Sequence, residues 1–163
     1  MRNRVLASLT VAAALTFGAS AWAQQPPLQY GTPGVNLEQA KKAVEAAEAE
    51  AKKNGWPLAI AVTSNGGYLV HFSRMDQTQL ASIQIAIHKA KAAATFRRPT
   101  KAFADGLAAN PPNLFILTLD GVIAADGGLP LLRDGKVIGG IGCSGATGAQ
   151  DAQACKAGVD TIK

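Results

Sequence analysis

The apolar positions of this chain fall into short, well-punctuated runs with two different periods. Leu37, Ala40, Val44, Ala47 and Ala51 recur at helical spacing. Asn36 precedes them with Gln39 three residues on, a capping box, and Lys52, Lys53, Asn54-Gly55 and Pro57 supply the stop. Two brief apolar runs, residues 58–63 and 68–73, flank Asn65-Gly66-Gly67. That arrangement predicts a β-hairpin, because Asn and Gly accept the positive φ of a tight turn. Residues 78–97 predict a second helix, with Leu80, Ile83, Ile87, Ala90 and Ala94 on one face and Ile85, Ala92 and Phe96 on a second apolar flank. A helix apolar on two sides is expected to be covered on both, by the sheet and by another element or subunit. A short helix is expected over 100–109, stopped by Asn110-Pro111-Pro112, and a strand over 114–119. Residues 129–133 and 136–142 flank Asp134-Gly135, a second hairpin signal, and residues 149–162 predict a final helix.

Strands that arrive as hairpins imply an α/β protein of the α+β type: an antiparallel five-stranded sheet with helices packed on both faces. Residues 36–163 form this single domain, with no internal repeat.

The N-terminus reads differently. Arg2 and Arg4 precede an apolar run over 5–19, and Ala21-Trp22-Ala23 is a small-x-small cleavage site. Residues 1–23 are therefore expected to be a signal peptide, with the mature chain starting at Gln24 in the periplasm or outside the cell. The run is shorter than the roughly 20 apolar residues a membrane span needs, and no later stretch approaches that length. Residues 24–35, rich in Pro, Gly and Gln, read as a mobile arm. The leader holds two of the sixteen basic residues and none of the eleven acidic ones, so the mature charge is +3. That charge is too weak to imply nucleic acid, and no RNA-binding aromatic motif or recognition helix is present.

Cys143 and Cys155 are an even pair for an oxidising compartment. A bond between them is conceivable, but the geometry argues against it. Cys143 would end a strand and Cys155 would lie two turns into the helix above, and such packing usually holds backbones beyond the roughly 7 Å a disulfide tolerates. The cysteines and histidines lack metal-ligand spacing.

Four groups of residues carry candidate chemistry. Gly140-x-Gly142-x-x-Gly145 matches the dinucleotide fingerprint by letter, but no following strand bears the acidic residue that reading requires. The loop 142–148, with Ser144 and Thr147, leads into a helix whose free N–H groups suit a carboxylate or phosphate. Lys89, Lys91, Arg97, Arg98 and Lys101 form a basic stretch suited to propionates or phosphates, or to a solvated helix face. His71 and His88 are each able to ligate haem iron through a neutral imidazole, though a lone histidine is more often packed or merely exposed. His71 is expected on the strand face opposite Tyr68, Val70 and Phe72. No Cys-x-x-Cys-His is present, which excludes covalent c-type haem.

Several segments together are similar to the GlcG/HbpS-like family. They are Gly66-Gly67-Tyr68-Leu69-Val70 with Arg74-Met75-Asp76; Lys89-Ala90 with Ala93, Phe96 and Arg97-Arg98-Pro99-Thr100; and Gly127-Gly128-Leu129-Pro130 with Asp134-Gly135. Gly139-Gly140-Ile141-Gly142-Cys143-Ser144-Gly145 and Gln150-Asp151 complete the match, which runs from Leu37 to Ile162. The resemblance implies a homo-oligomer, often an octamer, and binding of haem, as in secreted relatives and in the related C-terminal domain of PduO-type corrinoid proteins. Many members carry an acid at the position of Ser64 and a threonine at that of Ala92, which leaves His71 and His88 as this chain's own candidate ligands.

The combined expectation is a periplasmic or secreted oligomeric binder of haem or a similar planar anionic cofactor. His71 or His88 would be the metal ligand, Arg97, Arg98 and Lys101 would meet carboxylates, and Ser144 and Thr147 would close the site. The alternative is an enzyme or accessory subunit in carboxylate or aromatic catabolism, with Arg74, Asp76 and Arg97 in a cleft between subunits. N-terminal sequencing of the protein recovered from an exporting host is expected to begin at Gln24; a chain still carrying residues 1–23 would refute the cleavage reading.

Overall fold

The computed structural model describes residues 28–163. The leader, and residues 24–27 of the arm, lie outside them. Five strands run β1 (Gln29–Tyr30), β2 (Ala59–Ser64), β3 (Leu69–Arg74), β4 (Gly128–Arg133) and β5 (Lys136–Ser144). Four α-helices are α1 (Leu37–Asn54), α2 (Ala81–Thr95), α3 (Lys101–Ala108) and α4 (Gly148–Val159).

Local chemistry accounts for most boundaries. The Asn36 side chain accepts from the Gln39 amide, and the Gln39 side chain accepts in return from the Asn36 amide. Gly55 ends α1 in the left-handed conformation at φ 71°, a geometry that costs glycine little. Asp134 and Gly135, both at positive φ, make the two-residue turn between β4 and β5.

The sheet is mixed, not purely antiparallel. β5 pairs antiparallel with β4 on one edge and with β2 on the other, and β2 pairs antiparallel with β3. β1 joins the start of β5 in parallel, Gln29 opposite Lys136 and Tyr30 opposite Val137. This strand comes from the segment expected as a mobile arm. Its turn and proline residues hid it, yet Val35 is buried and donates its amide to Ile138 O at 2.7 Å. The strand expected at 114–119 is instead a 3₁₀ helix, Leu114–Thr118. Its carbonyls are satisfied locally, as by Leu119 N on Ile116 O, and of its apolar residues only Ile116 is buried. A short apolar run does not by itself distinguish strand from helix.

Helices cover both faces. α1 and α4 bury Ala40, Ala43, Val44, Ala47, Ala154 and Cys155 against Leu58, Ile60, Val62, Leu131 and Ile138. α2 covers the other face, where Ala86 and Ala90 meet Ala59 and Ala61. The buried seam of α2 is made of small residues, and Leu80, expected on the core face, is 74% exposed. The reason lies in β5. A Cβ added to Gly140 would lie 2.2 Å from the Ala90 carbonyl oxygen, and one on Gly142 would lie 2.2 Å from that of Ala86. The helix backbone therefore rests directly on the strand, and large side chains are pushed to its flanks.

Cys143 and Cys155 are disulfide-bonded with Cα atoms 5.8 Å apart, contrary to the expectation from usual strand–helix spacing. The loop after Ser144 is short enough to bring α4 down over the end of β5. By chain-entropy arithmetic, closing so short a loop contributes about 3 kcal/mol.

Gly142→Ala is expected to destabilise the fold by about 1–3 kcal/mol or more, read as a lower urea midpoint, because the clash is with backbone. Gly135→Ala, where nothing lies within 4 Å but φ is positive, is expected to cost about 1 kcal/mol. Equal effects at the two sites would contradict direct seating of α2 on β5.

Candidate functional site

The most buried polar chemistry lies where α2, β5 and α4 meet. Lys89, on α2, reaches past Gly127 and Gly142 to Asp151 on α4. Its Nζ donates to Asp151 Oδ2 at 2.8 Å and to the Cys143 carbonyl at 2.9 Å, and both side chains are 3% exposed. A Cβ on Gly127 would lie 2.9 Å from Nζ and 2.7 Å from the Asp151 Cβ, so the lysine channel needs glycine there. Asp151 Oδ1 accepts from the Ala146 amide at 3.0 Å. Burial pushes the Asp151 carboxyl above its ordinary value, opposed by the Lys89 bond and charge and by the Ala146 N–H. Nearby, Ser144 Oγ donates to Ser82 Oγ at 3.2 Å in full burial. These groups have partners and lie below the surface; the arrangement ties elements together.

The residues expected to meet an anionic ligand are occupied in the same way. Arg97, in the left-handed region at φ 56°, donates to the Leu28 carbonyl at 2.6 Å and stacks 5.2 Å over Tyr30, whose hydroxyl donates to Thr95 O. It fastens β1 to the end of α2. Arg98 donates to Phe96 O and lies over Phe103. Lys101 pairs with Asp105 at 2.5 Å on the exposed side of α3, and that bond raises its pKa. Thr147 caps α4, accepting from Gln150 N, while its own amide donates to Gln150 Oε1. The Ala146, Thr147 and Gln150 amides are thus bonded within the chain. Gly140, Gly142 and Gly145 serve close packing: a Cβ on Gly145 would meet the Pro57 carbonyl at 2.2 Å.

The two histidines lie on opposite sides of the sheet. His71 pairs with Val62, which belongs to the α1 side, and is half-buried. Val70 packs on that same side, against the expected alternation, because the register shifts at this point and β3 carries a bulge. His88 is exposed on α2, across the sheet. One bound molecule within one chain cannot take both. Among the described residues no group of three or more His, Cys, Asp or Glu side chains is arranged to hold a bare metal ion.

Around His88 the surface is specific. Ile87 and Phe72 pack together on the alanine cluster under α2. Lys91, exposed and one turn beyond His88, lies against the β2–β3 turn, where a Cβ on Gly67 would meet its Cγ at 2.9 Å. Tyr68 and Leu69, leaving that turn, are 80% and 50% exposed. The sequence places Lys91 only within a general basic stretch; its position beside the hairpin depends on a contact no local pattern reports.

At the far end of the sheet is a cleft of about 640 Å³ lined by Glu48, Lys52, Trp56, Arg74, Met75 and Asp76 among others. Arg74 and Asp76 share it, but Arg97 does not. Arg97 sits by β1 at the start of β5, while Arg74 pairs with Ala59 beside the end of β5, on the order of 20 Å away along the strand. The cleft expected from all three residues does not form within one chain.

The family model for haem degrading protein HbpS-like matches residues 35–160. The chain belongs to the HbpS-like family. Protein GlcG of Escherichia coli (strain K12) is 40% identical over 110 residues, 68% of this chain and 81% of that protein. A 15.0 kDa protein from the dhaT–dhaS intergenic region of Citrobacter freundii is 34% identical over 119 residues, 72% of this chain and 84% of the relative. Among solved structures, HbpS superposes with a TM-score of 0.74 at 30% identity, covering 82% of this chain and 93% of HbpS. The PduOC:heme complex shares the fold at a TM-score of 0.72 and 24% identity, over 80% of this chain and 96% of that one. The HbpS-like match takes in Lys89, Asp151 and both histidines.

Within this HbpS-like domain, Lys89→Ala is expected to cost about 3–5 kcal/mol in urea unfolding, because it leaves a buried carboxylate uncompensated. The double change Lys89→Met with Asp151→Leu is expected to recover much of that loss. A double variant no better than the single one would show that the pair's hydrogen bonds to Cys143 O and Ala146 N, and not its charges, carry the stability.

Proposed function

We propose that this protein is an exported homo-oligomer that binds haem, or a flat anionic molecule like it, at the surface between α2 and β3. The observation that carries this reading is the exposed, unpartnered His88 imidazole with Lys91 one turn along α2 and the apolar side of the hairpin beside it. His88 would ligate the iron, Lys91 would meet a carboxylate, and Ile87, Leu69 and Tyr68 would contact the ring system. An exposed imidazole is reachable by a rigid macrocycle, whereas His71 is half covered from the α1 side. Haem, when bound, supplies iron whose reactivity the axial ligand and the polarity of its surroundings tune. Family membership supports the choice of ligand. Arg97, Arg98 and Lys101 drop out of the binding set, since the first fastens β1, the second packs on Phe103 and the third is paired on α3.

Export follows from the leader at residues 1–23, which directs the chain to the periplasm or the medium. The buried disulfide is in keeping with an oxidising compartment. Among the described residues no helix is long and apolar enough to cross a membrane. Self-association, to an octamer as in the family, is favoured by Leu114, Phe115 and Leu117, which stand 57–70% exposed on one 3₁₀ segment.

Hemin titrated into residues 24–163 is expected to saturate with a Soret band that His88→Ala shifts, weakening binding at least tenfold, while His71→Ala leaves both unchanged. Unsaturable binding, or a spectrum indifferent to His88, would reject this site.

A further inference from the structure

The cleft between the end of α1 and the end of β3 has no part in the reading above, and its two walls are fixed before any ligand arrives. On one side the Gly55 turn holds Trp56, whose amide donates to Ala51 O at 3.0 Å. On the other, Thr78 closes a turn on the Met75 carbonyl through both its amide and its hydroxyl, with Gln77 held at φ 68°. Leu58 links the walls: its amide donates to Met75 Sδ at 3.5 Å and its carbonyl accepts from Met75 N at 3.0 Å. Trp56, Pro57 and Met75 give the cleft an apolar lining.

Its charged groups differ in how far they are satisfied. Glu48 is taken by Lys52 at 3.3 Å and by the Ser73 hydroxyl. Arg74 and Asp76 are exposed and make no hydrogen bond or ion pair with a described residue. A spare guanidinium beside an aromatic, pre-formed cleft is a carboxylate receptor, since its fork of donors matches two carboxylate oxygens. A volume of about 640 Å³ accepts a small organic molecule. Asp76 on the same rim penalises a second negative charge.

We propose that this cleft is a second binding site, for a small monocarboxylate with an apolar, preferably aromatic, body. Arg74 holds the carboxylate, Trp56 and Met75 cover the body, and Asp76 selects against dianions. The site stands at the end of β3 beside the end of α1, at the opposite end of that strand from the turn against which Lys91 lies, and does not depend on the haem reading.

The chain carries a built-in reporter. Its two tryptophans are Trp22 and Trp56, so in residues 24–163 all tryptophan fluorescence comes from this cleft. Titration with 3-phenylpropionate is expected to change that emission saturably. Its neutral analogue 3-phenyl-1-propanol and its dianionic analogue benzylmalonate are each expected to bind at least about tenfold more weakly. Arg74→Gln is expected to weaken 3-phenylpropionate at least about tenfold and Asp76→Asn to recover benzylmalonate, with far-UV circular dichroism and thermal midpoint unchanged. His88→Ala is expected to leave these titrations intact, so loss of hemin binding and loss of acid binding are separate outcomes. No saturable change with 3-phenylpropionate, equal binding of the alcohol, or indifference to Arg74→Gln would each overturn the proposal.

Discussion

The close approach of α2 to β5 governs much of this structure. Two strand glycines, Gly140 and Gly142, let the helix backbone touch the sheet, and alanines on both sides complete the seam. The contact uses little side-chain volume, so its strength comes from many short dispersion contacts and not from a few large apolar groups. It also decides what remains outside. With the seam filled by Ala86, Ala90, Ala93 and Ala94, the isoleucines of α2 lie half-buried along its flanks and His88 and Lys91 face outward. The surface proposed for a planar ligand is thus a consequence of how tightly the inner face is closed.

The same closeness brings Lys89 to Asp151. α2 and α4 lie on opposite faces of the sheet, and an ion pair between them has to pass the end of β5. It does so through space left by Gly127 and Gly142, and the Cys143 carbonyl accepts a further lysine N–H on the way. Cys155 stands one turn beyond Asp151 on α4 and is bonded back to Cys143. One residue of β5 is therefore held by a covalent bond from α4 and a hydrogen bond from α2. Buried ion pairs are weak sources of net stability because desolvation offsets attraction, so the pair's clearer effect is on register: it fixes which turn of α2 faces which turn of α4.

Elements written in local signals were legible in the sequence. The capping box at Asn36 and Gln39, the Gly55 stop and the Asp134-Gly135 turn each rest on a few adjacent residues, and each is present. Failures came where a partner distant in sequence decides. Gln29–Tyr30 is a strand only because β5 offers an edge and Arg97 anchors the segment from 69 residues away. The buried face of α2 differs from the one its pattern predicts, because hydrophobic patterning weighs large residues, whereas contact with a glycine-bearing strand selects small ones. The disulfide departs from expectation for a related reason, a strand–helix spacing closer than usual. At the candidate site, His88 was legible as a residue type, but neither its exposure nor the nearness of Lys91 to the hairpin was.

The polar residues that looked most site-like share one fate. Arg97, Ser144, Thr147 and Lys89 all have partners inside the chain, and each joins elements far apart in sequence or caps one of them. A group already satisfied by the fold must break that bond to meet a ligand, at about 0.5–1.5 kcal/mol for a neutral hydrogen bond and more for a charged one. Groups without partners meet a ligand at no such cost. Among such groups are His88 and Lys91 on α2 and Arg74 and Asp76 at the end of β3. All four are exposed. Among the described residues none forms a covering wall over the α2–β3 surface, so a macrocycle seated there would remain open on one side. Were a second copy of the chain to close it, assembly and ligand affinity would be mutually dependent: whatever strengthened the contact between copies would strengthen binding, and by linkage bound ligand would strengthen the contact in turn.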